Sequence, residues 1–227
     1  MRSLVLATLA VATISGCRPA SSPAPAPAAA AAAEPRPVTV QPGLPGQSGR
    51  VLTSAQADAL PTPPHTPADV AFMSGMIAHH EQALVMTDMV ESRTTARDIQ
   101  LLALRIALSQ TDEITLMKTW LRQRDEPVPG EGEHAGHEMD HGDHGLMPGM
   151  LTKDELAQLR AASGVAFEKL FLEFMIKHHE GAVFMVAELF GSQGGGQQSE
   201  IYSFASDVEA DQQMEIARMR RMLADRL

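Results

Sequence analysis

Met76-Ile77-Ala78-His79-His80-Glu81 is written again 99 positions later as Met175-Ile176-Lys177-His178-His179-Glu180. Histidine is the commonest metal ligand among side chains, and the thioether of Met selects soft ions such as Cu(I). The doubled phrase implies an internal tandem repeat in which each half carries a potential metal-binding face.

The duplication reaches beyond the phrase. Leu52-Thr53 matches Leu151-Thr152, Phe72 matches Phe171 and Met86 matches Met185 at the same offset. Glu113-Ile114-x-x-Met117 matches Glu215-Ile216-x-x-Met219, and Leu121 matches Leu223, at an offset of 102. The difference falls where the second half carries Gly191-Ser192-Gln193-Gly194-Gly195-Gly196, a loop by composition. An insertion confined to a loop is what a structural repeat predicts.

Each half reads as helices. Thr66-Pro67-Ala68-Asp69 is a start signal, with Thr at the N-cap, Pro at the first helical position and an acid at the third. Apolar positions then recur at three and four to about Val90. Thr95 with Asp98 opens a second helix through Ile99, Leu102, Ile106, Ile114, Met117 and Leu121, and Pro127 limits its continuation. In the second half Thr152-Lys153-Asp154-Glu155 is a capping box for a short helix that breaks near Ser163-Gly164. A long helix to about Phe190 and another from about Ser199 follow, and no stretch shows the alternation of a strand. The expected fold is all-α, a four-helix bundle built from two tandem helical-hairpin repeats. Repeat one spans 51–125, a connector 126–150 and repeat two 151–227, with the bundle as a whole at 65–227.

The first 17 residues read as a secretory signal, a short positive start and an apolar run too brief to span a bilayer. Its Ser15-Gly16-Cys17 ending resembles the bacterial lipobox, which makes Cys17 a lipidation site. Cys17 is the sole cysteine, so neither a disulfide nor a thiolate cluster is available. Residues 18–64 are Pro- and Ala-rich and read as a disordered, semi-rigid stalk. The implied location is the bacterial cell envelope, anchored to a membrane by lipid and facing periplasm or outside. A formal net charge of −10 argues against nucleic acid as a partner.

Adjacent helical residues diverge by about 100°, so one His of each pair should face the core or the seam between repeats. If the halves pack about a pseudo-twofold axis, Met76, His80, Met175 and His179 converge, with Glu81 and Glu180 as ligands or as orienters of imidazole. The candidate ligands are Met76, His79, His80, Glu81 and Met86 in repeat one, and Met175, His178, His179, Glu180 and Met185 in repeat two. A Met stripe also serves as adaptable core filling. Burying four imidazoles costs desolvation unless each finds a partner, which favours a metal role for the His pairs. The connector adds His134, His137, Met139, His141, His144, Met147 and Met150, a tract that is metal-binding by composition. The donor mix leaves Cu(I), Cu(II), Zn(II), Ni(II) and Ag(I) open; the methionines lean towards copper, Cu(I) first.

Phe-Met-x-x-Met-Ile-x-His-His-Glu-x-Ala, Phe72 to Ala83, resembles the bacterial family called domain of unknown function 305. Phe171 to Ala182 resembles it less completely, and Glu113-Ile114-x-x-Met117-x-x-Trp120-Leu121 fits too. The resemblance covers about 66 to 224 and implies a ferritin-like four-helix bundle, secreted or membrane-attached, in a family with some copper-binding members. Two departures are Met222 at the position of Trp120 and Leu172 at that of Met73. The expected function is copper binding for sequestration or for transfer to an envelope partner. A di-metal iron oxidase is the alternative, but its Glu-x-x-His motif occurs only in the connector, at Glu131/His134 and Glu138/His141. A structural or interaction module without metal is the third reading. With no nucleophile constellation, an enzyme is not expected.

Overall fold

The computed structural model describes residues 39–41, 48–61, 63–131 and 146–226. The expectations for the signal, for Cys17 and for His134, His137, Met139, His141 and His144 fall outside these residues. Two compact units divide the chain after Leu60.

The first unit carries three short elements, all within the segment expected as a disordered, semi-rigid stalk at 18–64. Strands β1 (Thr39–Gln41) and β2 (Arg50–Leu52) pair antiparallel with Thr39 opposite Leu52, and a short helix α1 (Ser54–Asp58) follows. Thr53 and Gln56 form a reciprocal capping box there. Three-residue strands are too short for alternation to betray them in sequence.

The second unit is helical throughout its regular elements. Its long helices are α2 (Pro67–Asp88), α4 (Arg97–Arg122), α6 (Gly164–Gly191) and α7 (Ser199–Ala224), with shorter α3 (Val90–Arg93) and α5 (Lys153–Ala161). Helix α2 pairs with α4 and α6 with α7, and α2 packs on α6 to join the hairpins. The expected capping boxes form at Thr66/Asp69 and Thr152/Glu155. Two boundaries differ from the sequence reading. The Thr87 hydroxyl bonds back to the Leu84 carbonyl and the chain tightens at Met89, so the first helix ends at Asp88, just short of the expected Val90, and α3 follows as a separate turn. Thr94, not Thr95, prepares the start of α4, accepting the Ala96 amide at 3.0 Å.

Both repeats contribute to each of two apolar clusters. Phe72, Met76, Met117 and Trp120 pack with Met185 and Phe204 in one; Met86, Ile99 and Ile106 pack with Phe167, Phe171 and Met175 in the other. Each such side chain contributes about 1.5–3 kcal/mol by leaving water, so neither hairpin keeps its core without its twin. Among the described residues no helix is long and apolar enough to cross a membrane.

Candidate metal centre

The doubled phrase sits where α2 crosses α6, between the two apolar clusters. His79, His80, His178 and His179 are all fully buried. The His79 and His178 rings lie face to face across the repeat seam, centroids 3.8 Å apart and tilted by 38°. Their neighbours turn the other way, each into its own hairpin. His80 Nε2–H donates to Glu113 Oε2 at 2.6 Å, and His179 Nε2–H donates to Glu215 Oε2 at 2.8 Å.

A carbonyl or a carboxylate accepts and cannot donate, which sets the tautomers. His79 Nε2–H donates to the Pro148 carbonyl at 3.0 Å. In His79, His80 and His179 Nε2 therefore carries a proton, and all three Nδ1 atoms are buried without a hydrogen-bond partner. His178 has neither ring nitrogen in a well-formed bond. Burial, reinforced by the neighbouring His80, lowers His79 from 6.5 to about 3. Burial and the proximity of His79 hold His178 well below its ordinary value. These two rings are neutral at physiological pH, so no proton competes for their lone pairs.

A ring N–H held by a carboxylate or carbonyl, with the other nitrogen free, is the usual state of a metal-ligating imidazole. The buried layer fits a metal ion by that criterion. Its donors are nitrogen, backed by carboxylates. Gln110 and Gln212, equivalent positions one turn before Glu113 and Glu215, add buried amides with unpartnered atoms. Among the described residues no three His, Cys, Asp or Glu side chains already stand as a closed cage.

A family model described as domain of unknown function 305 (DUF305) matches residues 69–223. The chain belongs to the DUF305 family.

Solved DUF305 structures share the fold. A fragment from Deinococcus radiodurans is 32% identical, with a TM-score of 0.61 over 72% of this chain and 99% of that one. A Streptomyces coelicolor DUF305 protein, whose description presumes it secreted, is 29% identical with a TM-score of 0.59, over 70% and 93%. CopM in its Cu(II)-bound form is 29% identical with a TM-score of 0.54, over 69% and 96%; Cu(I)-bound and Ag-bound forms of CopM match as well. Among curated proteins no match is found.

In this DUF305 chain the expected convergence of Met76, His80, Met175 and His179 does not occur. His79 and His178 meet at the seam instead, because the crossing of α2 and α6 turns the first His of each pair inward. Met76 and Met185 fill one apolar cluster and Met86 and Met175 the other, as core side chains. Glu81 and Glu180 are corrected too. They point outward and pair with Lys118 at 3.0 Å and with Arg220 at 2.5 Å. The carboxylates that touch imidazole are Glu113 and Glu215, which sequence reading recorded as repeat markers only. Their signal was present: an acid repeated in frame, one position before Ile114 and Ile216 on a core-facing helix edge.

The end of the connector forms a strap over the seam. Gly149, at φ 77°, and Gly181 allow it to lie flat on α6; a Cβ on Gly181 would fall 1.9 Å from the Pro148 carbonyl oxygen. Gln82 holds Leu151 at both its amide (2.7 Å) and its carbonyl (3.0 Å). Met147 projects over Gly75 beside Met185, in a groove of about 300 Å³ also lined by Phe72 and Pro148. Met150 lies on the same strap, half-buried.

Proposed function

We propose that this DUF305 protein binds copper in the bacterial envelope, for sequestration or for transfer to a partner, and is held at a membrane by lipid on Cys17. The observation that carries the reading is the set of buried imidazoles at the repeat seam: His79 and His178 are neutral, and His79, His80 and His179 have Nε2–H held and Nδ1 without a partner. His79, His80, His178 and His179 are the ligands in this reading. Glu113 and Glu215 orient His80 and His179 through their ring N–H groups. CopM, which has the same fold, is known in Cu(II)-, Cu(I)- and Ag-bound forms, and this supports a metal ion as cargo.

The connector residues His134, His137, Met139, His141 and His144 form a capture tract, and Met147 and Met150 extend it onto the strap. The tract supplies the ion and the buried imidazoles hold it. The nitrogen donors of the seam suit Cu(II) or Zn(II), and the thioethers of the connector suit Cu(I) or Ag(I). The iron-oxidase alternative is disfavoured, because no described helix carries Glu-x-x-His.

The test is a titration of the purified chain with Cu(I) under a competing chelator, and with Cu(II) separately. Wild type is compared with His79→Ala/His80→Ala and with a form lacking the connector. Loss of one class of site in each variant is expected. Unchanged stoichiometry in both variants would overturn the site assignment, and no binding by wild type would overturn the function.

A further inference from the structure

Helix α4 buries Leu102, Ile106, Gln110 and Met117 along one line, and the opposite line faces solvent. Solvent-facing positions of a surface helix are ordinarily polar. Here they are leucines: Leu101, Leu104, Leu108 and Leu116 are 44%, 56%, 61% and 45% exposed. At 100° per residue these four fall within about 120° of one another over roughly 22 Å, with Arg105 and Asp112 inside the same band.

The internal repeat supplies a control. Helix α7 is the twin of α4, and its equivalent positions are Ser203, Ser206, Ala210 and Arg218. The fold at that place does not require leucine, and the two helices do the same work in the bundle. Something other than folding accounts for the leucines, and exposed apolar side chains grouped on one face mark an interaction site.

Charge on the same face identifies the partner. Arg105 lies among the leucines in the N-terminal half of this face and Asp112 in its C-terminal half, both exposed. Set two α4 helices antiparallel about a twofold axis near residues 108–109. Arg105 then faces Asp112 of the other copy, and Asp112 faces its Arg105. In the same register Leu101 meets Leu116, and Leu108 lies beside its own counterpart. A self-complementary face of this kind is the requirement for an isologous dimer. We propose that α4 is the interface of a homodimer, with Leu101, Leu104, Leu108 and Leu116 as its apolar seam and Arg105–Asp112 as its two ion pairs. The proposal does not rest on metal binding.

Sedimentation equilibrium on the full chain without its lipid, in the presence of a metal chelator, tests it. Wild type dimerises with concentration. Leu104→Glu/Leu108→Glu is monomeric at all concentrations while its helical circular dichroism and melting temperature stay at wild-type values. Asp112→Arg weakens the dimer at least tenfold, and Arg105→Asp/Asp112→Arg restores it to within threefold. Arg105 also touches Glu215 of its own chain at 3.4 Å, so the Asp112 single variant and the swap are read together. A wild type that stays monomeric overturns the proposal. So does a dimer indifferent to the leucine variant, or one in which the swap fails to recover association. Binding of this face to phosphatidylethanolamine/phosphatidylglycerol vesicles without dimerisation would overturn it in favour of a membrane-facing surface.

Discussion

The Thr94 hydroxyl donates to the Glu168 carboxylate at 2.6 Å, from the turn of one hairpin to the first long helix of the other. The repeat makes the reciprocal contact. Asp69, the equivalent of Glu168, accepts the Gly196 amide at 2.7 Å, and Gly196 is the equivalent of Thr94. Each hairpin is thus fastened at its turn by an acid from its twin, and the seam holding the four histidines is fixed from both ends. Arg226 bonds the other oxygen of Glu168 at 2.9 Å and Asp98 at 2.7 Å.

Thr94→Val keeps the shape and removes both the donor to Glu168 and the acceptor for the Ala96 amide. A lost bond to a buried charged group and a lost helix-start contact together cost about 2–3 kcal/mol. Urea unfolding followed by circular dichroism should move to a lower midpoint at an unchanged slope. A midpoint within experimental error of wild type would mean that the hairpins are held by apolar packing alone.

His178 offers a different test, because it is buried with no well-formed hydrogen bond at either nitrogen. An unpaired polar group in the interior costs about 1–3 kcal/mol, so the metal-free fold should gain from its removal. His178→Leu is expected to raise the melting temperature of chelator-treated protein by a few degrees. It should also abolish most of the further rise that Cu(II) gives wild type. Destabilisation of the metal-free form would show that the imidazole is a structural element of the seam.

The helices, their pairing and the His pairs were legible because periodicity reports which line of a helix is buried, and the repeat read the pattern twice. The choice within each pair was not legible. Neighbours differ by 100°, less than the width of a buried face, so His79 and His80 are both inside while Glu81 is outside. The acid partners lie 33 and 36 residues from their histidines, across a hairpin whose rotation only packing decides. Local spacing pointed to Glu81 and Glu180, and tertiary contact selected Glu113 and Glu215. The same limit explains the methionines, whose helical spacing fits a ligand row and a core row equally well.

The two acids are not equivalent. Besides its imidazole, Glu215 faces the Arg105 guanidinium at 3.4 Å, whereas Glu113, among the described residues, is joined by the Ser109 hydroxyl at 3.0 Å. A carboxylate shared with a cation polarises its imidazole less. Glu113→Gln is expected to weaken Cu(II) binding by about tenfold or more, within the range known for partners of metal-bound histidine. Glu215→Gln should cost clearly less. Isothermal titration in weakly coordinating buffer measures both, and equal losses would remove Arg105 from the account.

Acid should unfold the metal-free protein in two stages. His79 titrates near 6.5 in the unfolded chain and near 3 in the fold, where burial and then His80 hold it down, and His178 is lowered in the same direction. As the pH falls below about 6.5, the unfolded chain takes up protons that the native state refuses, so stability falls with pH. The carboxylates act later. Burial alone would raise Glu155, but the Lys177 ammonium at 2.6 Å and the Thr152 amide outweigh it and lower its pKa, so its contribution is complete above 4.5 and fades below. Urea midpoints taken from pH 7.5 to 4.5 should therefore decline in wild type. The slope should flatten in His79→Gln/His178→Gln, which has no imidazole to charge at the seam. Added Cu(II) should raise the wild-type midpoints by a nearly constant amount across this window, because the His79 and His178 rings carry no competing proton in the fold. A metal-free wild type with constant midpoints across that window would mean that both rings meet water, and the buried seam would have to be abandoned.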